Sequence, residues 1–85
     1  MSALKEPVLK ILNKLYEPSI MVDLKFGRYD LAIKTDDGGR AILLFMGKKS
    51  DNGKIIGERY TRRLIFDKDG KPIKDHWEHK GKASK

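Results

Sequence analysis

Residues 20–47 read IMVDLKFGRYDLAIKTDDGGRAILLFMG, and their pattern predicts the first three strands of a sheet. Over residues 20–26 apolar and polar side chains alternate, which is the period of a strand with one buried face. Gly27-Arg28 fits a two-residue hairpin connection, because glycine suits the first central position of a type II′ turn. The same alternation resumes over residues 29–34, so we predict an antiparallel hairpin.

The strand that follows has a different pattern. Residues 40–47 are apolar on both alternating faces, which is typical of a strand buried on both sides and predicts a central position. The turn before it, residues 36–39, ends in two glycines that supply positive φ. We expect one face of this strand to meet a helix, and the other to be covered by the C-terminal strands or by a partner.

That helix is predicted near the N-terminus. Apolar residues recur there at helical spacing, at Leu4, Val8, Leu12 and Leu15. The pattern predicts an amphipathic helix of about ten residues. Pro7 fits the first turn, where a missing N–H costs nothing, and Pro18 stops the helix. We predict that this helix covers one face of the sheet.

Two more strands complete the prediction. Residues 55–66 form a long strand with a bend or bulge near Gly57, and residues 72–79 form an edge strand, since Pro72 cannot donate to a ladder. Every connection is short, so neighbouring strands must be antiparallel. The predicted fold is α+β: a short N-terminal helix on a five-stranded antiparallel β-meander, which is either a strongly bent sheet or a partly open barrel.

The 85 residues amount to one domain, which we place at residues 1–79, followed by a basic, flexible tail over residues 80–85. The chain has no cysteine, which excludes disulfides, zinc–thiolate sites and a cysteine nucleophile. No apolar run approaches the ~20 residues that a membrane span needs. We therefore expect a cytoplasmic protein with no membrane partner.

The net charge of +7 is concentrated in the last 38 residues. Residues 48–85 contain 12 Lys and Arg against 6 Asp and Glu, whereas residues 1–47 contain 7 against 6. This asymmetry favours an acidic partner and says nothing about the fold. The alternative is that lysine-rich loops and a basic tail serve solubility alone.

The densest basic segment is GERYTRR, residues 57–63. Arginine matches phosphate oxygens, and an exposed aromatic ring can stack on a base. We therefore predict that nucleic acid or another acidic partner contacts Lys48, Lys49, Lys54, Arg59, Tyr60, Arg62, Arg63 and Trp77. Strand alternation divides this set, because Arg59 and Arg63 share one face and Arg62 shares the other with Tyr60. The alternative is structural, with Tyr60 in the core and Arg59 and Arg63 paired with acids such as Asp75 and Asp30.

Catalysis and metal binding have little support in the sequence. The serines lie in termini or loops with no base and orienting acid beside them. On a strand, His76 and His79 point to opposite faces, which disfavours chelation of one ion by both. On a helix their spacing of three would let them converge, but the sequence offers no obvious third and fourth ligands. Residues 67–70 (DKDG) begin like a calcium loop, but no glutamate closes it. We expect no enzyme, no cofactor and no metal.

Two hypotheses for the function remain. The first is a small, non-enzymatic binding module for nucleic acid or another acidic partner. The second is a protein-interaction or regulatory domain, a monomer or weak homodimer, that uses an apolar sheet face which the helix cannot cover. We place that face around Met21, Ile42, Leu44 and Met46.

Overall fold

The computed structural model describes the backbone of residues 4–84 and the side chains of residues 4–82. Its elements are α1 (Glu6–Leu12), β1 (Met21–Phe26), β2 (Tyr29–Thr35), β3 (Ala41–Lys49), β4 (Ile55–Phe66) and β5 (Pro72–Ser84). The strands form one antiparallel sheet in the order β1-β2-β3-β4-β5, so β1 and β5 are its edges, and in the described chain it is not closed. The predicted α+β class and meander are confirmed, and the sheet is open.

The helix α1 is short, at 7 residues, and has Pro7 in its first turn. Val8 and Leu12 on its inner side are 2% and 0% exposed. They pack in one core cluster with the sheet residues Leu31, Ile33, Ala41, Leu44 and Tyr60. The helix therefore covers one face of the sheet, as predicted. It ends at Leu12, however, and Leu15, which the spacing placed on its buried side, is 72% exposed. Within residues 4–84 no helix has the length and apolar character that crossing a membrane requires.

The strand register assigns every paired side chain to one of two faces, because directly opposite residues share a face. One face, which we call the covered face, lies under α1 and includes the cross-strand row Val22, Ile33, Leu44, Tyr60 and His79. The other, which we call the open face, lies on the far side of the sheet from α1. Its members are Met21, Asp23, Lys25, Asp30, Ala32, Lys34, Leu43, Phe45, Gly47, Lys49, Ile55, Gly57, Arg59, Thr61, Arg63, Ile65, Lys74, His76 and Glu78.

Our prediction from the sequence assigned the apolar side chains of β3 to the wrong faces. The face that we expected the helix to leave uncovered comprised Met21, Ile42, Leu44 and Met46. Leu44 is instead fully buried in the core, whereas Met21 is 44% exposed on the open face. The register between β2 and β3 shifts between Lys34 and Thr35. Such a shift of one residue moves every side chain beyond it to the opposite face, and alternation within one strand does not reveal it.

The C-terminal strand is longer than we expected. The prediction ended it before residue 80 and made residues 80–85 a flexible tail, but β5 continues to Ser84, which pairs with Ile56. Gly81 has φ +94° where β5 carries an extra residue relative to β4, a conformation that glycine adopts without strain. The long strand β4 thus provides a pairing partner for most of residues 80–84. Lys85 and residues 1–3 lie outside the described residues.

Gly47 of β3 and Gly57 of β4 face each other across the sheet. A Cβ atom at Gly57 would lie 2.2 Å from a main-chain oxygen of β3, and one at Gly47 would lie 2.1 Å from a main-chain oxygen of β4. The two strands therefore approach each other at a distance that excludes side chains. Close by, the register of β4 and β5 slips between Glu58 and Tyr60, so the irregularity predicted near Gly57 is confirmed.

The turn between β2 and β3 holds the segment that follows α1. The Tyr16 N–H donates to the Gly39 carbonyl at 2.9 Å, and the buried Thr35 hydroxyl donates to the Glu17 carbonyl at 2.7 Å. Gly39 has φ +84°, and a Cβ there would lie 2.2 Å from the Tyr16 oxygen. These contacts hold the segment after α1 against the end of the sheet where β2 meets β3.

Candidate nucleic-acid interface

The strand β4 distributes its three arginines over both faces of the sheet. Arg59 pairs with Phe45 of β3, and Arg63 pairs with His76 of β5, all on the open face. Arg62 pairs with Trp77 on the covered face. This division follows from strand alternation, as predicted, and it gives the arginines different surroundings.

Arg62 is engaged inside the protein. Its side chain is 8% exposed, and its guanidinium donates to both carboxylate oxygens of Asp75, at 2.7 and 2.8 Å. A third bond, of 3.1 Å, reaches the carbonyl of Ala41, and the guanidinium lies 5.7 Å from the centre of the Trp77 ring. The hydrogen bonds from Arg62 hold the pKa of the Asp75 carboxyl below its usual range. Arg62 thus joins β3, β4 and β5, and each of its three guanidinium nitrogens already donates a hydrogen bond within the protein.

The two aromatic rings among the predicted contacts also lie on the covered face. Tyr60 is 5% exposed within the core, and burial raises the pKa of its hydroxyl. Trp77 is half-buried, packs against the core cluster, and lines a groove of about 360 Å³ between α1 and β5. Neither ring lies beside Arg59 or Arg63. Tyr60 therefore lies in the core, as the structural alternative predicted. Asp75, however, pairs with Arg62 and not with Arg59 or Arg63.

The open face carries an excess of positive charge. Its basic members are Lys25, Lys34, Lys49, Arg59, Arg63 and Lys74, and its acidic members are Asp23, Asp30 and Glu78. Half-buried Phe45 lies directly opposite half-buried Arg59, and Arg63 is exposed. Sequence reasoning did not include Phe45, Lys34 or Lys74. Only the register of β3 against β2 and β4 brings them to the same surface as the arginines.

The three predicted lysines surround the connection between β3 and β4. Lys48, Lys49 and Lys54 are all exposed. The Lys49 N–H donates to an Asp30 carboxylate oxygen at 3.0 Å, and this bond, with further help from Lys25, lowers the pKa of Asp30. Lys49 belongs to the open face, Lys48 pairs with Ile56 on the opposite side, and Lys54 lies in the loop. These lysines therefore form a rim at one end of the sheet and not one continuous patch with the arginines.

A single acid on β5 lies among three basic side chains. Glu78 accepts hydrogen bonds from Lys80 Nζ at 2.9 Å and from His76 Nε2 at 3.0 Å. These bonds, the one from Lys80 first, lower the pKa of Glu78 from 4.5 to about 2, and the charge of Arg63 contributes to the same effect. Glu78 is therefore ionised and neutralises part of the positive charge of the open face.

The histidines and the turn acids have other partners. His76 contacts Glu78 on the open face, and His79 contacts Glu58 on the covered face. The Asp67 carboxylate accepts main-chain N–H bonds within its own turn, at 2.9 Å. Across the part of the chain that the structure describes, no group of three or more histidine, aspartate or glutamate side chains converges on a point where a metal ion could bind.

Comparison of the chain with protein-family models, with curated proteins and with solved structures finds no match in any of the three. The functional argument therefore depends on the geometry and charge of the two sheet faces.

Proposed function

We propose that this protein is a non-enzymatic module of the cytoplasm that binds single-stranded nucleic acid on the open face of its sheet. The observation that carries the proposal is the arrangement on β4. Arg59 and Arg63 lie four residues apart on the open face, and Phe45 lies directly beside Arg59. No cofactor or metal takes part.

Electrostatic attraction supplies the first argument. Basic side chains outnumber acidic ones on the open face, and α1 and its charges lie on the other side of the sheet. A phosphate backbone binds to such a surface by releasing condensed counterions, so affinity falls steeply as salt rises. Exposed Arg63 and half-buried Arg59, about 13 Å apart along β4, are placed to contact different phosphates of one nucleic-acid strand.

Stacking supplies the second argument and favours a single strand. Phe45 is half-buried in the central strand β3, so part of this residue is accessible to solvent. A base can stack on such a ring only after leaving a duplex, and each base–aromatic stack is worth about 1–3 kcal/mol. The neighbouring guanidinium of Arg59 offers a planar cation beside the same base.

A specific observation supports a second candidate, a protein–protein interface on the same face. Met21 is 44% exposed on the open face, and the half-buried apolar side chains of Leu43 and Phe45 lie nearby on β3. A protein partner or a second copy of the chain could bury this apolar strip. Such an interface would depend on apolar area and would respond weakly to salt.

The test is fluorescence anisotropy with labelled single- and double-stranded oligonucleotides at two salt concentrations. We expect the single strand to bind more tightly and Arg59→Gln/Arg63→Gln to lower the log–log salt slope by ~0.7 for each phosphate that is no longer neutralised. Lys10→Gln/Lys14→Gln removes the same charge from the α1 segment, on the other side of the sheet, and should leave the slope almost unchanged.

Two results would contradict the proposal. Absence of binding at low salt would exclude nucleic acid as the partner, and equal reductions of affinity in the two double variants would show an effect of net charge alone. Self-association in sedimentation that Met21→Lys abolishes, without salt dependence, would favour the protein–protein interface.

A further inference from the structure

The open face contains a carboxylate in a place where a phosphate would fit. Glu78 receives hydrogen bonds from Lys80 at 2.9 Å and His76 at 3.0 Å, and Arg63 lies on the adjacent strand directly opposite His76. Ionised carboxylates and phosphate oxygens attract the same charge-assisted donors at similar distances. A carboxylate held in this way marks the donors around it as a preformed anion site.

The positions of these residues follow from strand geometry. His76 and Glu78 are two residues apart on β5 and therefore lie on the same face, and Glu78 pairs with Thr61 of β4. Arg63 is the next residue along that face of β4, so its side chain lies diagonally across from Glu78. Lys80 lies just before the irregularity at Gly81, and its side chain bends back to Glu78.

The site differs in exposure from the ion pair of Arg62 and Asp75. The side chains of His76, Glu78 and Lys80 are 45%, 32% and 42% exposed. Arg62 of the covered face, by contrast, is 8% exposed, and its partner Asp75 lines the groove beside α1. An incoming anion can therefore reach the cluster around Glu78 and cannot reach Arg62.

We propose that Arg63, His76 and Lys80 bind one phosphate group of the nucleic acid and that Glu78 occupies this site in the free protein. The inference rests on the proposed function, since it places one phosphate of the same ligand. Binding requires the Glu78 carboxylate to leave its two donors. Glu78 thereby weakens binding to any anion and favours ligands whose other contacts compensate for its displacement, such as a polymer with several phosphates.

The experiment removes the Glu78 carboxylate, which occupies the proposed site in the free protein. Glu78→Gln should tighten binding of a labelled oligothymidylate about threefold at low salt, the size of an exposed ion pair. The log–log salt slope should steepen by ~0.7, the value for one additional phosphate on a single strand. Glu6→Gln removes one negative charge from exposed Glu6 of α1, across the sheet, and serves as the matched control. Equal changes in the two variants would overturn the inference.

A second measurement separates this inference from the proposed function. Inorganic phosphate is titrated against chloride into wild-type and Glu78→Gln protein, and amide chemical shifts are followed. We expect phosphate-specific shifts at residues 63, 76 and 80 that are larger in the variant. If they occur while no oligonucleotide binds, the proposed function fails and the anion site stands. If phosphate and chloride give the same shifts in both proteins, the anion site is excluded.

Discussion

The two faces of the sheet use the same residue types for different purposes. Leu44 is fully buried beneath α1, whereas Leu43, its neighbour in β3, lies half-buried on the open face. Arg62 forms an ion pair with Asp75 on the covered face, whereas Arg63 is exposed on the open face. In this sheet, therefore, the register and the cover on each face determine the role of a residue, and the residue type alone does not.

The leucine pair gives the largest expected effect. Leu44→Ala should lower the free energy of unfolding by about 3 kcal/mol, because it leaves a cavity in the core. Leu43→Ala should lower it by only about 1 kcal/mol, since its side chain is partly solvated in the native state. Urea denaturation of both variants measures the difference. Equal destabilisation would mean that both faces are buried, and the open face would then not be a free surface.

The arginine pair should give a smaller difference in stability. Arg62→Gln removes two bonds to Asp75 and one to Ala41, and we expect a loss of about 2 kcal/mol, the range for hydrogen bonds to charged groups. Arg63→Gln on the exposed face should change stability by less than about 0.5 kcal/mol. Oligonucleotide affinity should instead fall in Arg63→Gln and stay close to the wild-type value in Arg62→Gln. A stable Arg62→Gln with impaired binding would contradict the division of roles.

The smallest effect is the dependence of stability on pH. The pKa of Asp75 is lowered in the folded protein, chiefly by the hydrogen bonds from Arg62. The stability it contributes is therefore fully present above the unfolded pKa of about 3.9 and is lost as pH falls through the lower folded value. Asp75→Asn should reduce the fall in thermal midpoint between about pH 5 and pH 2. Asp51→Asn, in the exposed loop before β4, is the control. If the two variants have the same pH profile as wild type, the Arg62–Asp75 pair contributes no acid sensitivity.

Alternation within single strands allowed much of the fold to be predicted. It located the hairpin of β1 and β2, and it divided Arg59 and Arg63 from Arg62 correctly. It could not assign the faces of β3, which is apolar on both sides, because a shift in register next to Thr35 decides which side meets the helix. The same limit hid Phe45, whose place beside Arg59 depends on pairing between strands.

The end of β5 and the partner of Arg62 could not be predicted for other reasons. Residues 80–84 are polar and basic, and nothing in their composition shows that β4 is long enough to pair with them. Asp75 was predicted to pair with Arg59 or Arg63, but it pairs with Arg62 on the other face of β4. The sequence could not reveal this, because the alignment of β4 with β5 is a property of the folded sheet. Long-range pairing of this kind leaves no local pattern in the sequence.

The meander order has a consequence for synthesis of the chain. Every strand pairs with its neighbour in sequence, so hairpins can add one after another as the chain leaves the ribosome. The helix α1 emerges before the strands, yet its buried residues Val8 and Leu12 pack in a cluster that includes Tyr60 of β4. The core cannot be completed before β4 has been made. Until then, the apolar side of α1 remains in contact with solvent or with the growing hairpins.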